Sequence, residues 1–204
     1  MELKQALEEI RKEKRNFEQT VDLIINLRGI NIKKDSINAV VIVPNKFKDK
    51  KVCAFLTKRN SQVDTITQPE FAKYKDKKEL KKLAKKYDFF IASAPVMPAV
   101  ASTFGKVLGP TGKMPTPQLG LLMQETDANI TALLKKLENS NKIKAKETSI
   151  KISVGKEKMD DAKIIENINS IYNGILEALP NKKENVKSVL IKTTMSKPIK
   201  VEVK

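Results

Sequence analysis

Thr20-Val-Asp-Leu-Ile-Ile-Asn-Leu27 alternates along its length, and its contrast with two later segments decides the architecture. Val21, Leu23, Ile25 and Leu27 fall on one face of an extended chain, and Thr20, Asp22, Ile24 and Asn26 on the other. Successive side chains of a strand point to opposite faces, so the pattern predicts one buried face and one partly polar face that can meet a partner. Val52-Cys-Ala-Phe-Leu56 and Asp88-Phe-Phe-Ile-Ala92 do not alternate. Short continuous apolar runs mark strands covered on both faces, as in parallel sheets. Helical patterns follow at about Pro69 to Lys86, Pro95 to Leu108 and Thr126 to Leu137. Pro69 and Pro95 suit a first helical turn and Thr126 an N-cap.

The two ends of the chain read differently. Leu3, Leu7 and Ile10 recur at helical spacing and predict an amphipathic helix over the first fifteen residues. Asn38-Ala-Val-Val-Ile-Val43 predicts a strand closed by Pro44, and Ile143 to Lys146 with Ser149 to Val154 a strand pair. Asp160 to Leu179 predicts a helix with Ile164, Ile168, Ile171 and Ile175 on one stripe, followed by strands at Val186 to Thr193 and Ile199 to Val203. The fold class is therefore α/β and α+β in two domains. Residues 1–46 and 142–204 form a discontinuous terminal α+β domain with an antiparallel sheet, and residues 47–141 an inserted Rossmann-like α/β domain. The two chain crossings near residues 46 and 142 make a natural double hinge.

Composition narrows the function. The 204 residues carry 40 Lys and Arg against 24 Asp and Glu, a net charge of +16. Such a surface attracts polyanions, and phosphate contacts with counterion release supply affinity for nucleic acid. No apolar run approaches the roughly 20 residues of a membrane-spanning helix, and the opening Met1-Glu-Leu-Lys-Gln lacks the apolar core of a signal peptide. A single cysteine, Cys53, excludes an internal disulfide and fits a reducing, cytoplasmic setting. The chain has no histidine, which removes the commonest acid–base group and metal ligand. Charge does not locate a binding site, because residues 47–141 carry 17 basic and 9 acidic residues, half of the excess.

Several motifs are weighed against simpler explanations. Gly112-Lys113 resembles a phosphate-binding loop, but that pattern needs Gly where Val107 stands and Ser or Thr where Met114 stands. Cys53 lies in an apolar run with no histidine to activate it, as a small core residue does. Asp160-Asp161 opens a helix, where carboxylates meet the positive end of the dipole. The lysines from Lys73 to Lys86 share a helix with Leu80, Leu83 and Tyr87, as a solvated face does. No catalytic constellation assembles, and no cofactor or metal is implied.

Polar groups and one aromatic residue do assemble near the chain ends. Phe17 and Thr20 flank the start of the first strand, and Thr193-Thr-Met-Ser196 ends the penultimate one. Alternation places Ser188, Lys192 and Thr194 on one face, while Lys151 and Ser153 oppose Ile150, Ile152 and Val154. If these strands share a sheet, hydroxyls, a lysine and a phenylalanine share a surface suited to the ribose 2′-OH and phosphate groups of a folded RNA. The plainer alternative is that the threonines are ordinary strand residues, Phe17 a hydrophobic staple and Met195 a core cap.

Phe104-Gly-Lys-Val-Leu-Gly-Pro-Thr-Gly-Lys-Met-Pro-Thr-Pro-Gln-Leu-Gly120 packs four glycines and three prolines into seventeen residues. Leu108 to Pro117 resembles the Leu-Gly-Pro-x-Gly-x-Met-Pro-x-Pro signature of the large-subunit ribosomal protein L-one family. The resemblance covers nearly the whole chain. Asn16-Phe17-Glu-Gln-Thr20-Val-Asp22 resembles the family's first RNA-binding segment and Ser188-Val-Leu-Ile-Lys-Thr-Thr194-Met195 its second. Carried over by position, the rRNA contacts implied are Phe17, Thr20, Asp22, Ser188, Thr194, Met195 and Ser196, with Asn16 and Lys151 as further candidates. Ser196 stands where the family usually has Gly, and Asn16 where a basic residue is common. The spacing and the many lysines resemble archaeal members.

The resemblance implies a non-enzymatic, cytoplasmic component of the ribosome, monomeric when free. It would bind large-subunit rRNA at the mobile stalk, assist release of deacylated tRNA and repress translation by binding its own mRNA. Two other classes compete with it: a nonspecific basic RNA chaperone, and a nucleotide-dependent α/β enzyme using Gly109 to Lys113.

Overall fold

The computed structural model of the chain describes residues 1–12, 15–30, 38–74, 76–117, 119–145 and 147–203. Glu13 and Lys14 of the predicted first helix, Lys75 of the lysine cluster, Gln118 of the Gly/Pro run and Lys146 of a predicted strand lie outside the described residues. In chain order the helices are α1 (Leu3–Arg11), α2 (Lys77–Lys86), α3 (Met97–Thr111), α4 (Asp127–Glu138) and α5 (Asp161–Ala178). The strands are β1 (Thr20–Leu27), β2 (Asn38–Ile42), β3 (Val52–Leu56), β4 (Asp64–Thr67), β5 (Phe89–Ser93), β6 (Leu121–Leu122), β7 (Ser140–Lys144), β8 (Ser149–Lys156), β9 (Val186–Thr193) and β10 (Ile199–Val201). The fold is mixed α/β, with one antiparallel and one parallel four-stranded sheet. Contacts gather it into two compact units, Met1–Lys48 with Asn139–Lys204, and Asp49–Glu138.

The first unit is built on the antiparallel sheet β10–β9–β1–β8, with β2 and β7 paired as a separate ribbon. Its alternating residues behave as strand geometry requires: Val21, Leu23 and Ile25 are fully buried, and Leu23 stands opposite Ile152 and Ile191. The α5 stripe of Ile164, Ile168, Ile171 and Ile175 covers this inner face together with Ala6, Leu7 and Ile10 of α1. The other face of the sheet keeps its polar residues part-exposed. At Gly174 α5 comes so close to β2 that an added Cβ would stand 2.4 Å from a Val41 methyl. Only a residue without a side chain permits that approach.

The second unit carries the parallel sheet β4–β3–β5–β6. Alternate residues of β3 and β5 enter opposite layers, which is why both strands are apolar throughout. Cys53, Phe55, Phe90 and Ala92 meet Phe71 and α3 on one side, while Ala54, Leu56 and Ile91 meet Ile130 and Leu137 of α4 on the other. The Phe55 ring lies 4.8 Å from Phe104, 5.6 Å from Phe90 and 5.8 Å from Phe71 between ring centres. Offset and edge-on aromatic contacts at such distances add to their area burial.

Three sequence expectations are corrected. The segments around Ile143 and Ser149 do not pair with each other: β7 pairs with β2 and β8 with β1. The linking Ala145-Lys-Glu-Thr148 has no Gly or Asn for a tight hairpin turn, and Thr148 instead accepts from the Leu27 N–H at 2.7 Å. The single helix expected from Pro69 to Lys86 is a 3-10 segment, Gln68–Tyr74, followed by α2. Asp76 is extended, and Glu70 turns back to accept from the Thr67 N–H at 3.0 Å, so the two helical stretches start independently. The helix expected to end at Leu108 runs on to Thr111, drawing Gly109 and Pro110 into its last turn. β4 and β6, four and two residues long, were too short for periodicity to register.

Candidate nucleic-acid interface

The strand register brings the two candidate segments onto one surface. On the open face of the antiparallel sheet, Asp22 stands opposite Lys192 and Ser153, Ile24 opposite Leu190 and Lys151, and Asn26 opposite Ser188 and Ser149. Residues in register across neighbouring strands share a face, so Lys151, Ser153, Ser188 and Lys192 are neighbours across β1. Asn26 donates to the Ser188 hydroxyl at 3.0 Å. Burial pushes the Asp22 carboxyl above its usual value, an effect that Lys192 partly offsets. The register of β8 slips beside Val21 and Asp22, leaving Val154 as the extra residue of a bulge. Such bulges re-aim the side chains around them.

A second group gathers at the start of β1. The Thr20 N–H donates to the Thr194 hydroxyl at 3.2 Å, and that hydroxyl donates to the Thr20 carbonyl at 3.4 Å. The pair joins residues 174 positions apart. Met195 and Phe17 are 60% and 52% exposed, the largest exposed hydrophobics at this end of the sheet, while Asn16 is exposed beside Phe17. Ser196 is only 8% exposed: its hydroxyl accepts from the Thr193 N–H at 2.8 Å and donates to the Lys197 carbonyl at 3.3 Å. Ser196 thus shapes the turn from beneath. At about 3.3 Å per residue, Thr20 and Asn26 are separated by roughly 20 Å along β1. Thr20, Thr194, Met195 and Ser196 therefore form one cluster, and Ser188 lies at the far end of the same face.

Two polar residues that periodicity passes over organise this region. Gln19 is 1% exposed, and its side-chain carbonyl accepts from the Met195 N–H at 3.1 Å. Asn167, fully buried in α5, donates to the Val154 carbonyl at the bulge and to the Asn45 carbonyl, and accepts from the Asn45 N–H at 3.0 Å. The only sequence signal for Asn167 is a polar side chain one position from Ile168 on an apolar helix stripe.

The competing motifs are already occupied. Lys113 donates to the carbonyls of Ala84 and Tyr87 at 2.8 and 2.7 Å, at the C-terminal end of α2, where a cation meets the negative end of the dipole. Gly112, at φ 75°, caps α3 in the left-handed conformation, and the Lys113 N–H returns to Leu108. Ligands of such parallel sheets enter beyond the strand ends where the strand order reverses, here between β3 and β5. Glu125 fills that position and accepts from the Thr57 N–H at 3.0 Å and from the Thr57 hydroxyl. Burial alone would raise its pKa; the Ser93 hydroxyl, then the Thr57 hydroxyl and the N–H groups of Thr57 and Lys58, outweigh burial and hold it below the usual glutamate value. The Cys53 thiol is pushed up to about 12, first by burial and then by Asp64, so it stays protonated. Asp161 pairs with Arg11 at 2.7 Å and Asp160 with Lys163 at 3.0 Å. Among the described residues, no group of three or more Cys, Asp and Glu is placed to hold a metal ion, and no helix is long and apolar enough to cross a membrane.

Fold and surface together define a basic, mixed α/β binding protein whose open sheet face presents hydroxyls and lysines. The chain belongs to the ribosomal protein L1p/L10e family, whose sequence profile matches residues 7–197. This is a family of structural RNA-binding proteins, not enzymes. The chain is 34% identical over 203 residues to the large ribosomal subunit protein uL1 of Thermococcus kodakarensis, covering 94% of this chain and 92% of the relative. It is 36% identical over 200 residues to uL1 of Methanothermococcus thermolithotrophicus, covering 92% and 91%. With uL1 of Nanoarchaeum equitans it shares 32% over 198 residues, covering 92% and 93%. All three relatives are archaeal, in line with the lysine-rich archaeal type of the sequence.

Proposed function

We propose that the protein is a component of the large ribosomal subunit that binds large-subunit rRNA through the open face and the β1 end of its antiparallel sheet. In this proposal residues 1–46 and 142–204 are the RNA-binding domain. The exposed Phe17 and Met195 pack on the RNA, with Asn16, Thr20, Asp22, Thr194 and Ser188 around them and Ser196 shaping the turn beneath. Lys151 and Lys192 meet phosphates. The same surface takes a similar structure in the protein's own mRNA, so excess free monomer represses translation by mass action. On the cytoplasmic ribosome the protein assists release of deacylated tRNA.

The observation that carries the proposal is the Thr20–Thr194 pair of hydrogen bonds, which joins the two candidate segments into one surface. Hydroxyls and backbone groups at such a surface suit ribose and phosphate recognition by shape. A competition filter-binding assay tests it. A folded large-subunit rRNA fragment should outcompete bulk RNA at physiological salt, where a nonspecific chaperone would not discriminate. Phe17→Ala and Met195→Ala should each weaken fragment binding by about 1–2 kcal/mol through lost packing, with little effect on folding because both side chains are more than half exposed. Lys151→Gln should lower the salt slope by about one unit. If Phe17 and Met195 variants bind like the parent while substitutions of Lys78, Lys81 and Lys85 abolish binding, the surface lies elsewhere.

A further inference from the structure

We propose that Gln19 is a positioning residue that holds the Thr193–Ser196 turn in register with the start of β1. The inference rests on the rRNA surface proposed above and adds the part that assembles it. Gln19 lies between three strands at one end of the sheet. Its backbone is tied to the segment that follows β8: the Glu157 N–H donates to the Gln19 carbonyl at 2.9 Å, and the Gln19 N–H donates to a Glu157 carboxylate oxygen at 3.3 Å. Its side chain crosses to the other neighbour of β1 and accepts from the Met195 N–H at 3.1 Å. One residue therefore joins the ends of β8, β1 and β9.

The two ends of the turn that it holds are bonded to each other. Thr193 and Ser196 bond to one another, through the Thr193 N–H to the Ser196 hydroxyl and the Ser196 N–H to the Thr193 carbonyl at 3.3 Å. Those bonds set the shape of the turn but not its place on the sheet. Among the described residues, Thr20 to Thr194 and Gln19 to Met195 tie it to the first segment. The Gln19 contact is part-buried, whereas the Thr20–Thr194 contact is exposed. The chemistry also explains the residue type. The position needs a neutral acceptor on a two-methylene stem, because at 1% exposure a carboxylate would lose its solvation. A turn displaced by about 1 Å would present Met195 and Thr194 out of register with Phe17 and Thr20, at the cost of recognition more than of folding.

The test uses the full chain with Gln19→Met, which keeps the volume of the side chain and removes its acceptor. The Met195 N–H it frees belongs to an exposed residue, where water can satisfy it, so fragment binding should suffer more than the melting temperature. Binding of a folded large-subunit rRNA fragment should weaken about tenfold, while binding of bulk RNA and the salt slope stay unchanged. In a Met195→Ala background the same substitution should cost no more than about threefold, because residues that act through one another are not additive. Equal losses for both RNAs, or losses that add fully in the double variant, would overturn the inference. Amide hydrogen exchange on the unsubstituted protein tests it even if Gln19→Met fails to fold. The Met195 N–H should exchange at least about tenfold more slowly than in an unstructured chain, and exchange at the unstructured rate refutes the contact. Failure of the unsubstituted protein to prefer the rRNA fragment would instead overturn the proposed binding function itself.

Discussion

Replacing Gly174 with alanine should destabilise the protein, although the same change in most helix interiors does the opposite. Alanine in a helix gains about 0.5–1 kcal/mol over glycine, because it loses less backbone entropy. At Gly174 the added Cβ would stand 2.4 Å and 3.0 Å from the two methyls of Val41 and 3.3 Å from its Cβ. Carbon atoms in contact prefer about 3.5–4.0 Å, so the overlap exceeds about 1 Å. Val41 cannot simply turn aside: it is β-branched, buried, and held in β2 by pairing with β7. Overpacking of this kind costs about 1–3 kcal/mol, which outweighs the helix gain and leaves Gly174→Ala about 1–2 kcal/mol less stable. In a Val41→Ala background both methyls are gone, and the sign should reverse. There Gly174→Ala should stabilise by about 1 kcal/mol, through helix propensity and partial filling of the space. Urea unfolding of the four proteins gives the coupling, expected at about 2 kcal/mol or more. A stabilising Gly174→Ala in the otherwise unchanged protein, or the same change in both backgrounds, would refute the packing argument.

Two further outcomes follow from buried polar atoms. The folded Cys53 thiol keeps its proton until about pH 12, whereas an unfolded one titrates near 9.0, so unfolding releases a proton above pH 9 and stability falls as pH rises. Between pH 8 and 10 the protein should lose about 1.4 kcal/mol more than Cys53→Ala does, and parallel pH profiles of the two would show that the thiol is not shielded. Lys113→Met should cost about 1–2 kcal/mol by removing the cation that bonds two carbonyls at the end of α2, seen as faster amide exchange in the last turn of that helix. Unchanged exchange there would show that the lysine does not cap the helix.

The candidate surface was only partly legible before the structure. Thr20, Ser188, Lys192 and Thr194 could be assigned to strand faces because a strand repeats every two residues, and the register places Ser188 and Lys192 beside β1. Ser196 and Thr194 could be named as surface residues but not given their roles. One hydroxyl points inward to Thr193 and the other closes on Thr20, and both partners depend on how β9 ends against β1. Gln19 carried no periodic signal, and Asn167 only its place on the apolar stripe of α5. Each is a buried polar side chain whose partners, Met195 and Asn45, lie 176 and 122 positions away.

The amino-acid sequence by itself determined what repeats within a few residues. The alternation of β1, the unbroken apolar runs of β3 and β5, the isoleucine stripe of α5 and the Gly/Pro signature near α3 all follow from local geometry, whose periods of 2 and 3.6 residues hold whatever the rest of the chain does. Charge and the missing histidine likewise bounded the chemistry from composition alone. Only the tertiary structure decided which strands pair, that β7 turns to β2 and β8 to β1, and that Gly174 must be glycine because Val41 lies above it. Those choices are long-range: the chain must fold before residues more than a hundred positions apart compete for the same hydrogen bonds and the same space.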